Sequence, residues 1–395
     1  MRLWLRRALL PAVVWLGCQD EPRPPPAADP TAEPPEPGSL VEPDEVPSPS
    51  TISPCGATTA KLEFVRPNLY FALDASGSMT EGIPRGDGAL YEPGTAPYTR
   101  YAALALAIQT LLGRVGHRVN YGATLFPRGV DACDSGEEIR ALGAGDDVSF
   151  AVSGELGPEL RSFMFYIRRR APNGGTPIGL ALNALAPQVG AAGPNTYVFL
   201  VTDGGPNCNP QVRCGADSCM PNLEGLRITD QLVCDDSLNC CDDSVFGPAN
   251  CLDTEGSLGA VRELAAAGVK TIVIGIPGSE TYADLLDQLA VAGGAPRADP
   301  PHYYRVGDAD ALLATVSALG LTVAMSCNIH LTEPPPDPTL VNLFFDGELV
   351  PSDPVDGWAF TDESTVRVQG AACALLETGQ VLQADVIAGC PIVIQ

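Results

Sequence analysis

The chain has 395 residues, enough for one large domain, a smaller one and tails, and its 45% apolar content suffices for a packed core. Its 48 acidic side chains against 23 basic ones leave a formal charge of -25 at pH 7. That balance excludes a nucleic-acid partner, whose phosphates require a basic face, and it keeps the chain soluble through an acidic surface.

At the N-terminus, Arg2, Arg6 and Arg7 precede a short apolar run from Ala8 to Leu16. Such a run cannot span a bilayer as a helix, which takes about 20 residues, and residues 1–17 therefore read as an export leader. The leader ends in Trp15-Leu16-Gly17-Cys18, which resembles a bacterial lipobox, with Trp15 standing where the usual Leu would be. The resemblance implies that Cys18 is acylated and tethers the chain to the membrane; plain secretion or an uncleaved leader is the alternative. Gln19 after that cysteine, in place of Asp, favours the outer membrane of a bacterial envelope. Of the 13 cysteines, those other than Cys18 form an even set, which in an exported chain points to disulfides rather than thiolate chemistry. Residues 18–54 are rich in proline and acids, including Glu21, Glu33, Glu36, Glu42, Asp44 and Glu45, and read as an extended tether or linker without a core.

Alternating strand and helix patterns follow. Leu69 to Asp74 is an apolar run ending in an acid, and Tyr101 to Leu112 carries Leu104, Ile108 and Leu111 at helical spacing. Strands are predicted over Tyr121 to Phe126, Thr196 to Thr202, Val269 to Ile276 and Tyr303 to Val306. Helices are predicted over Leu156 to Arg170, Pro177 to Leu185, Leu258 to Ala267, Tyr282 to Val291 and Ala309 to Leu319. This alternation predicts an α/β fold, a doubly wound and mostly parallel sheet covered on both faces. After Cys327 the texture changes. Val341 to Phe345 and Glu348 to Val350 flank Asp346-Gly347, a hairpin signal. Further short strands are expected at Trp358 to Phe360, Thr365 to Val368, Val381 to Ile387 and Ile392 to Ile394. Residues 328–395 thus read as a small all-β module, with Cys373 and Cys390 as its candidate tie.

Three motifs carry chemistry. Asp74-Ala75-Ser76-Gly77-Ser78 follows the first apolar strand, Gly174-Gly175-Thr176-Pro177 precedes a helix, and Thr202-Asp203-Gly204 closes the central strand. Loops at the carboxyl ends of parallel strands share one rim, so residues distant in sequence can converge there. Hydroxyl and carboxylate oxygens are hard ligands suited to Mg²⁺, Mn²⁺ or Ca²⁺. With three neutral hydroxyls among five groups, the protein leaves such an ion partly unneutralised and able to attract an external acid. Together the motifs resemble the metal-ion-dependent adhesion site of von Willebrand factor type A domains, the family that includes integrin inserted domains. The resemblance covers about residues 64–325, within a domain of 55–327. It implies that Ser76, Ser78 and Thr176 contact the metal directly or through water, that Asp74 and Asp203 hold coordinating waters, and that a partner's carboxylate completes the shell. Mg²⁺ is the first expectation, with Mn²⁺ or Ca²⁺ as alternatives.

Two segments depart from that pattern. Thr80 to Pro97 is a Gly/Pro-rich loop beside the first motif; its Arg85-Gly86-Asp87 is a tripeptide too short to be more than coincidence. About 207–252 is an insertion holding Cys208, Cys214, Cys219, Cys234, Cys240, Cys241 and Cys251. Their spacing fits no paired Cys-x-x-Cys zinc site, and His117, His302 and His330 lie elsewhere. A disulfide-stabilised cap is expected, and since seven is odd, one cysteine must pair outside, with Cys133 the natural candidate. The acids Asp235, Asp236, Asp242 and Asp243 read as a solvated loop, or as calcium ligands lacking the pattern of an EF-hand. Because the termini of this fold often lie close, the resemblance implies that Cys55 and Cys327 clasp the domain ends. No nucleophile elbow, Walker loop or His-Glu-x-x-His is present, so the expected function is a lipid-anchored binding or adhesion protein that grips a partner's carboxylate, and not an enzyme. A non-adhesive envelope protein whose metal only steadies loops is the alternative.

Overall fold

The computed structural model describes residues 60–389 apart from 63–64, 91–98, 130–132, 149, 194, 231, 325, 378–379 and 382–383. The leader, the tether, Cys18, Cys55, Cys390 and the strand expected at Ile392 to Ile394 lie outside the described residues. A short strand, β1 (Ala60–Leu62), precedes β2 (Asn68–Asp74), which is buried along its whole length. Its side chains alternate between two cores: Leu69, Phe71 and Leu73 enter one, Tyr70 and Ala72 the other. A strand apolar on both faces belongs in the middle of a sheet covered on both sides.

Helix α1 (Arg100–Val115) starts where the Thr99 hydroxyl accepts from the Ala102 N–H at 3.1 Å, an N-cap that satisfies one otherwise unpaired donor. There follow β3 (Asn120–Phe126), β4 (Glu137–Ala144), the single turn α2 (Phe150–Ser153) and α3 (Pro158–Arg169). Helix α4 (Ile178–Ala191) has Pro177 as its N-cap and runs through Pro187, past the expected end at Leu185, because Leu185 and Val189 stay on its buried face. Strand β5 (Thr196–Thr202) leads into the insertion, which holds α5 (Met220–Leu223), β6 (Arg227–Thr229), β7 (Leu232–Val233) and two single 3-10 turns at Ala216–Ser218 and Pro248–Asn250. The main fold resumes with α6 (Thr254–Ala266), β8 (Lys270–Gly275), α7 (Ala283–Ala292), β9 (Tyr304–Arg305) and α8 (Ala309–Ala324).

The central sheet has the order β4-β3-β2-β5-β8-β9, parallel except for β4, which runs antiparallel to β3 at one edge. Helices α1, α3 and α8 cover one face around Leu104, Ile108, Phe163, Ile167, Leu312 and Val316. Helices α4, α6 and α7 cover the other around Leu182, Leu185, Val261, Leu264, Leu286 and Leu289. The fold is therefore the doubly wound α/β sandwich expected. Strand β4 had no sequence signal strong enough to mark it. Its Glu-Glu-Ile-Arg-Ala-Leu-Gly-Ala is half exposed, and polar, charged sequence is what an edge strand tolerates.

The C-terminal region contains β10 (Asn328–His330), β11 (Val341–Phe345), β12 (Glu348–Val350), β13 (Trp358–Phe360), β14 (Thr365–Val368), α9 (Gly370–Glu377) and β15 (Ala384–Ala388). They form two small antiparallel sheets, β1-β15-β11-β12 and β10-β14-β13. The hairpin at Asp346-Gly347 is present, with Phe345 opposite Glu348, and α9 accompanies the strands. Strand β1, although N-terminal, joins the C-terminal sheet by pairing antiparallel with β15.

The insertion is held by Cys214–Cys251, Cys219–Cys241 and Cys234–Cys240, and Cys133 bonds to Cys208 to tie it to the segment after β3. Its buried cluster consists of Cys219, Cys234, Cys240, Cys241 and Cys251, so disulfides supply the core that its few apolar residues cannot. Two expected pairings are corrected. Cys327 is bonded to Cys373, which rules out both a Cys55–Cys327 clasp and a Cys373–Cys390 tie. The reason is local: the Val368 N–H donates to the Cys327 carbonyl at 2.7 Å, so the end of β14 lies beside Cys327 and the first turn of α9 brings Cys373 against it. Peptide mapping of the unreduced chain is expected to recover a Cys327–Cys373 cross-link; a Cys55–Cys327 peptide in its place would contradict this arrangement.

Candidate metal centre

Chain order makes the site. From β2 the chain builds outward through β3 to β4, then returns to place β5 on the other side of β2. The carboxyl ends of β2 and β5 thus meet at the topological switch point, where open α/β sheets bind ligands. Asp74 ends β2, and Thr202 ends β5 with Asp203 following. The register pairs Leu73 with Val201, which sets the two ends level.

All five residues expected to serve a metal converge here. Asp74 Oδ1 accepts from the Ser76 N–H at 2.8 Å, and Asp74 Oδ2 accepts from the Thr202 hydroxyl at 2.6 Å. The Ser76 and Ser78 hydroxyl oxygens stand 3.1 Å apart, and the Ser78 hydroxyl donates to Asp203 Oδ1 at 2.8 Å. Thr176 comes in from its own loop: a Cβ built on Gly204 would lie 3.6 Å from Thr176 Oγ1 and 4.0 Å from Ser78 Oγ. Position 204 thus lies in van der Waals reach of both hydroxyls, which places Thr176 beside Ser78 at the rim. The start of the Gly174–Thr176 loop is fixed to the first motif by two backbone bonds. The Gly77 N–H donates to the Gly174 carbonyl at 2.9 Å, and the Asn173 N–H donates to the Ala75 carbonyl at 2.8 Å.

Asp74, Ser76, Thr176 and Asp203 are buried, and Ser78 is half-buried. Burial pushes the Asp74 carboxyl up to about 7, aided by the adjacent Asp203 charge and opposed by the bonds from Thr202 and Ser76. Burial also raises Asp203, against the pull of Arg100 and the Ser78 hydroxyl. Two desolvated carboxylates that hold protons tightly are short of positive charge. The donor set is oxygen only, three hydroxyls and two carboxylates, and it fits a hard divalent cation.

Two residues of the site carried no sequence motif. Arg100, the first residue of α1, donates from Nη1 to Asp203 Oδ2 at 2.7 Å, and its Nη2 lies 2.7 Å from Glu81 Oε2. Asn207 clamps the threonine loop: its Oδ1 accepts from the Thr176 N–H at 2.6 Å, and its own N–H donates to the Thr176 carbonyl at 2.9 Å. The only available hint was position, since Asn207 lies four residues past Asp203, just before Cys208.

Other sequence features lie apart from this cluster. Arg85 and Asp87 pair with each other at 2.6 Å, Asp87 also accepts from the Ala89 N–H, and the Gly86 N–H donates to Asp310 Oδ2 at 3.4 Å. In the insertion, Asp235 and Asp242 are exposed and accept from Ser237 and Ser244, which holds both carboxyls below their ordinary value. Asp236 and Asp243 are exposed as well. Cys214, Cys241 and Cys251 bring their sulfurs within 4.8 Å of one another, but all three are already in disulfides.

No protein-family model and no curated protein matches the chain. Solved structures resemble it at low identity. The pilus adhesin SpaC from Lactobacillus rhamnosus GG, in its open conformation, superposes with a TM-score of 0.44 at 15% identity, over 83% of this chain and 39% of that one. A von Willebrand factor type A protein from Catenulispora acidiphila gives 0.40 at 14% identity, over 85% and 61%. The manganese-loaded TRAP protein of Plasmodium vivax gives 0.34 at 16% identity, over 66% and 76%. The chain thus spans well under half the length of the pilus adhesin. At these scores the likenesses carry no inference about function.

The raised Asp74 has a signed consequence. Its folded-state value near 7 lies above the unfolded 3.8, so the stability it contributes is fully present below about pH 3.8 and is lost as pH rises through 7. Between those values the metal-free chain is expected to melt at progressively lower temperature, with Asp74→Asn flattening that decline. A metal-free profile with the same slope in both proteins would show that Asp74 is not the group responsible.

Proposed function

We propose that this chain is a cell-surface binding protein of the von Willebrand factor type A kind, which grips an acidic group of its partner through a divalent cation. The observation that carries the reading is the meeting of three hydroxyls and two buried carboxylates from segments as far as 125 residues apart, with position 204 in contact range of both Thr176 Oγ1 and Ser78 Oγ. Mg²⁺, or alternatively Mn²⁺ or Ca²⁺, would supply at this rim a hard Lewis-acidic position able to accept an external carboxylate. Ser76, Ser78 and Thr176 offer neutral oxygens, and Asp74 and Asp203 offer charge. Thr202, Asn207 and the Ser76 N–H hold that set in place.

The role proposed is binding rather than catalysis. The three histidines, the usual proton carriers near neutral pH, make contacts away from the site: His302 Nδ1 with the Arg297 carbonyl, His330 Nδ1 with the Thr365 hydroxyl, and His117 Nε2 with Arg118. We place the protein on the bacterial envelope, by preference the outer membrane, tethered by lipid at Cys18 and raised on residues 18–54.

Binding of an ion only to the folded chain raises stability by about 2.7 kcal/mol at a hundredfold excess over its dissociation constant. Mg²⁺ or Mn²⁺ is therefore expected to raise the melting temperature by several degrees over chelator, and Asp203→Ala and Thr176→Ala should abolish the shift. Identical melting of the unaltered chain with millimolar ion and with chelator would remove the metal-dependent grip.

A further inference from the structure

We infer that Arg100 is a built-in counter-cation of the metal centre, weakening the hold on the ion so that the loaded site keeps a positive charge for an anionic partner. The inference rests on the binding function proposed above. The guanidinium is mostly buried, its side chain 12% exposed; Nη1 donates to Asp203 Oδ2 at 2.7 Å and to the Ser78 carbonyl at 3.4 Å, while the Ser78 hydroxyl takes Asp203 Oδ1. Arg100 and the Ser78 hydroxyl therefore share one carboxylate through different oxygens, and Arg100 does not occupy the oxygen that faces the Ser78 hydroxyl. Its second leg is Glu81, which is 62% exposed and so well solvated. Its Nε–H is buried with no acceptor among the described residues.

The fold makes room for this group. Gly278 sits at φ 109°, in the left-handed region that glycine tolerates, and a Cβ there would stand 2.6 Å from Arg100 Nη1 and 2.8 Å from the Asp203 carbonyl oxygen. A side chain at 278 would expel the guanidinium from its seat. Helix α1 begins at Arg100 itself, with Thr99 as its cap, so the backbone from which the side chain extends is fixed too.

The charge arithmetic gives the arrangement its consequence. Counting the buried groups alone, with solvent-exposed Glu81 set aside, two carboxylates and one guanidinium leave one net negative charge, and a divalent ion turns that into one net positive charge. Without Arg100 the loaded site would be neutral, on a chain whose formal charge is -25 and which otherwise repels acidic groups. Arg100 thus exchanges metal affinity for attraction of an anion.

The test is calorimetric titration of Mn²⁺ into the purified full chain and its variants. Removing a full charge beside the ion is expected to tighten Mn²⁺ binding about tenfold or more in Arg100→Gln, while Arg100→Lys, which keeps the charge, stays near the unaltered value. Unchanged or weaker binding in a folded Arg100→Gln chain overturns the inference. In chelator, the melting of Arg100→Gln, Asp203→Asn and the double variant forms a cycle that needs no metal. Each single change is expected to cost far less once the other is present, and additive effects overturn the counter-cation role. If no protein binds Mn²⁺, the proposed function fails, and that cycle alone decides whether Arg100 neutralises Asp203.

Discussion

Two carboxylates buried side by side at the ends of adjacent parallel strands set the terms for the rest of this structure. Asp74 and Asp203 cannot move apart, because the strand order that makes the sheet doubly wound also makes β2 and β5 neighbours. Ionised groups out of water are costly unless paired and hydrogen-bonded. The surroundings answer that cost group by group. Thr202 and the Ser76 N–H hold Asp74, and Ser78 and Arg100 hold Asp203. What these partners leave uncompensated appears as raised proton affinity, and under the proposed function the same deficit would favour a divalent ion. Proton and metal would then compete for one pair of acids.

The insertion is tied into this arrangement. Asn207 binds both the N–H and the carbonyl of Thr176, and a Cβ on Gly175 would stand 2.5 Å from Cys208 Sγ. The loop carrying Thr176 therefore rests directly on the Cys133–Cys208 bond. Covalent cross-links suit such a segment, which has few apolar side chains to bury and must still present one residue accurately. The C-terminal sheets use the same device on a smaller scale, with Cys327–Cys373 pinning α9 beside β14.

Much of the fold was legible in the sequence because its signals are local. Apolar runs on β2, β5 and β8 and helical periodicity on α1 and α3 report burial on both sheet faces directly. The Asp74–Ser78, Thr176 and Asp203 segments carry recognisable spacing, and parallel topology alone explains their convergence. What stayed hidden depends on contacts distant in the chain. Strand β4 is an edge whose polar sequence shows no strong alternation. Cysteine pairing follows from which backbone segments lie side by side, so Cys327 finds Cys373 through the β14–α9 turn. Strand β1 joins the far C-terminal sheet through only three residues. Arg100 and Asn207 belong to no motif, since an arginine opening a helix and an asparagine before a cysteine become informative only once the fold brings Asp203 and Thr176 to them.

The central claim is that the oxygens gathered at the switch point hold a divalent ion. Anomalous diffraction from crystals of the chain grown with Mn²⁺ tests it most directly. A single strong peak within coordination distance of the Ser76, Ser78 and Thr176 hydroxyls, absent from Asp203→Ala crystals, is the predicted result. A well-ordered site with the same side-chain positions and no peak there would contradict the account.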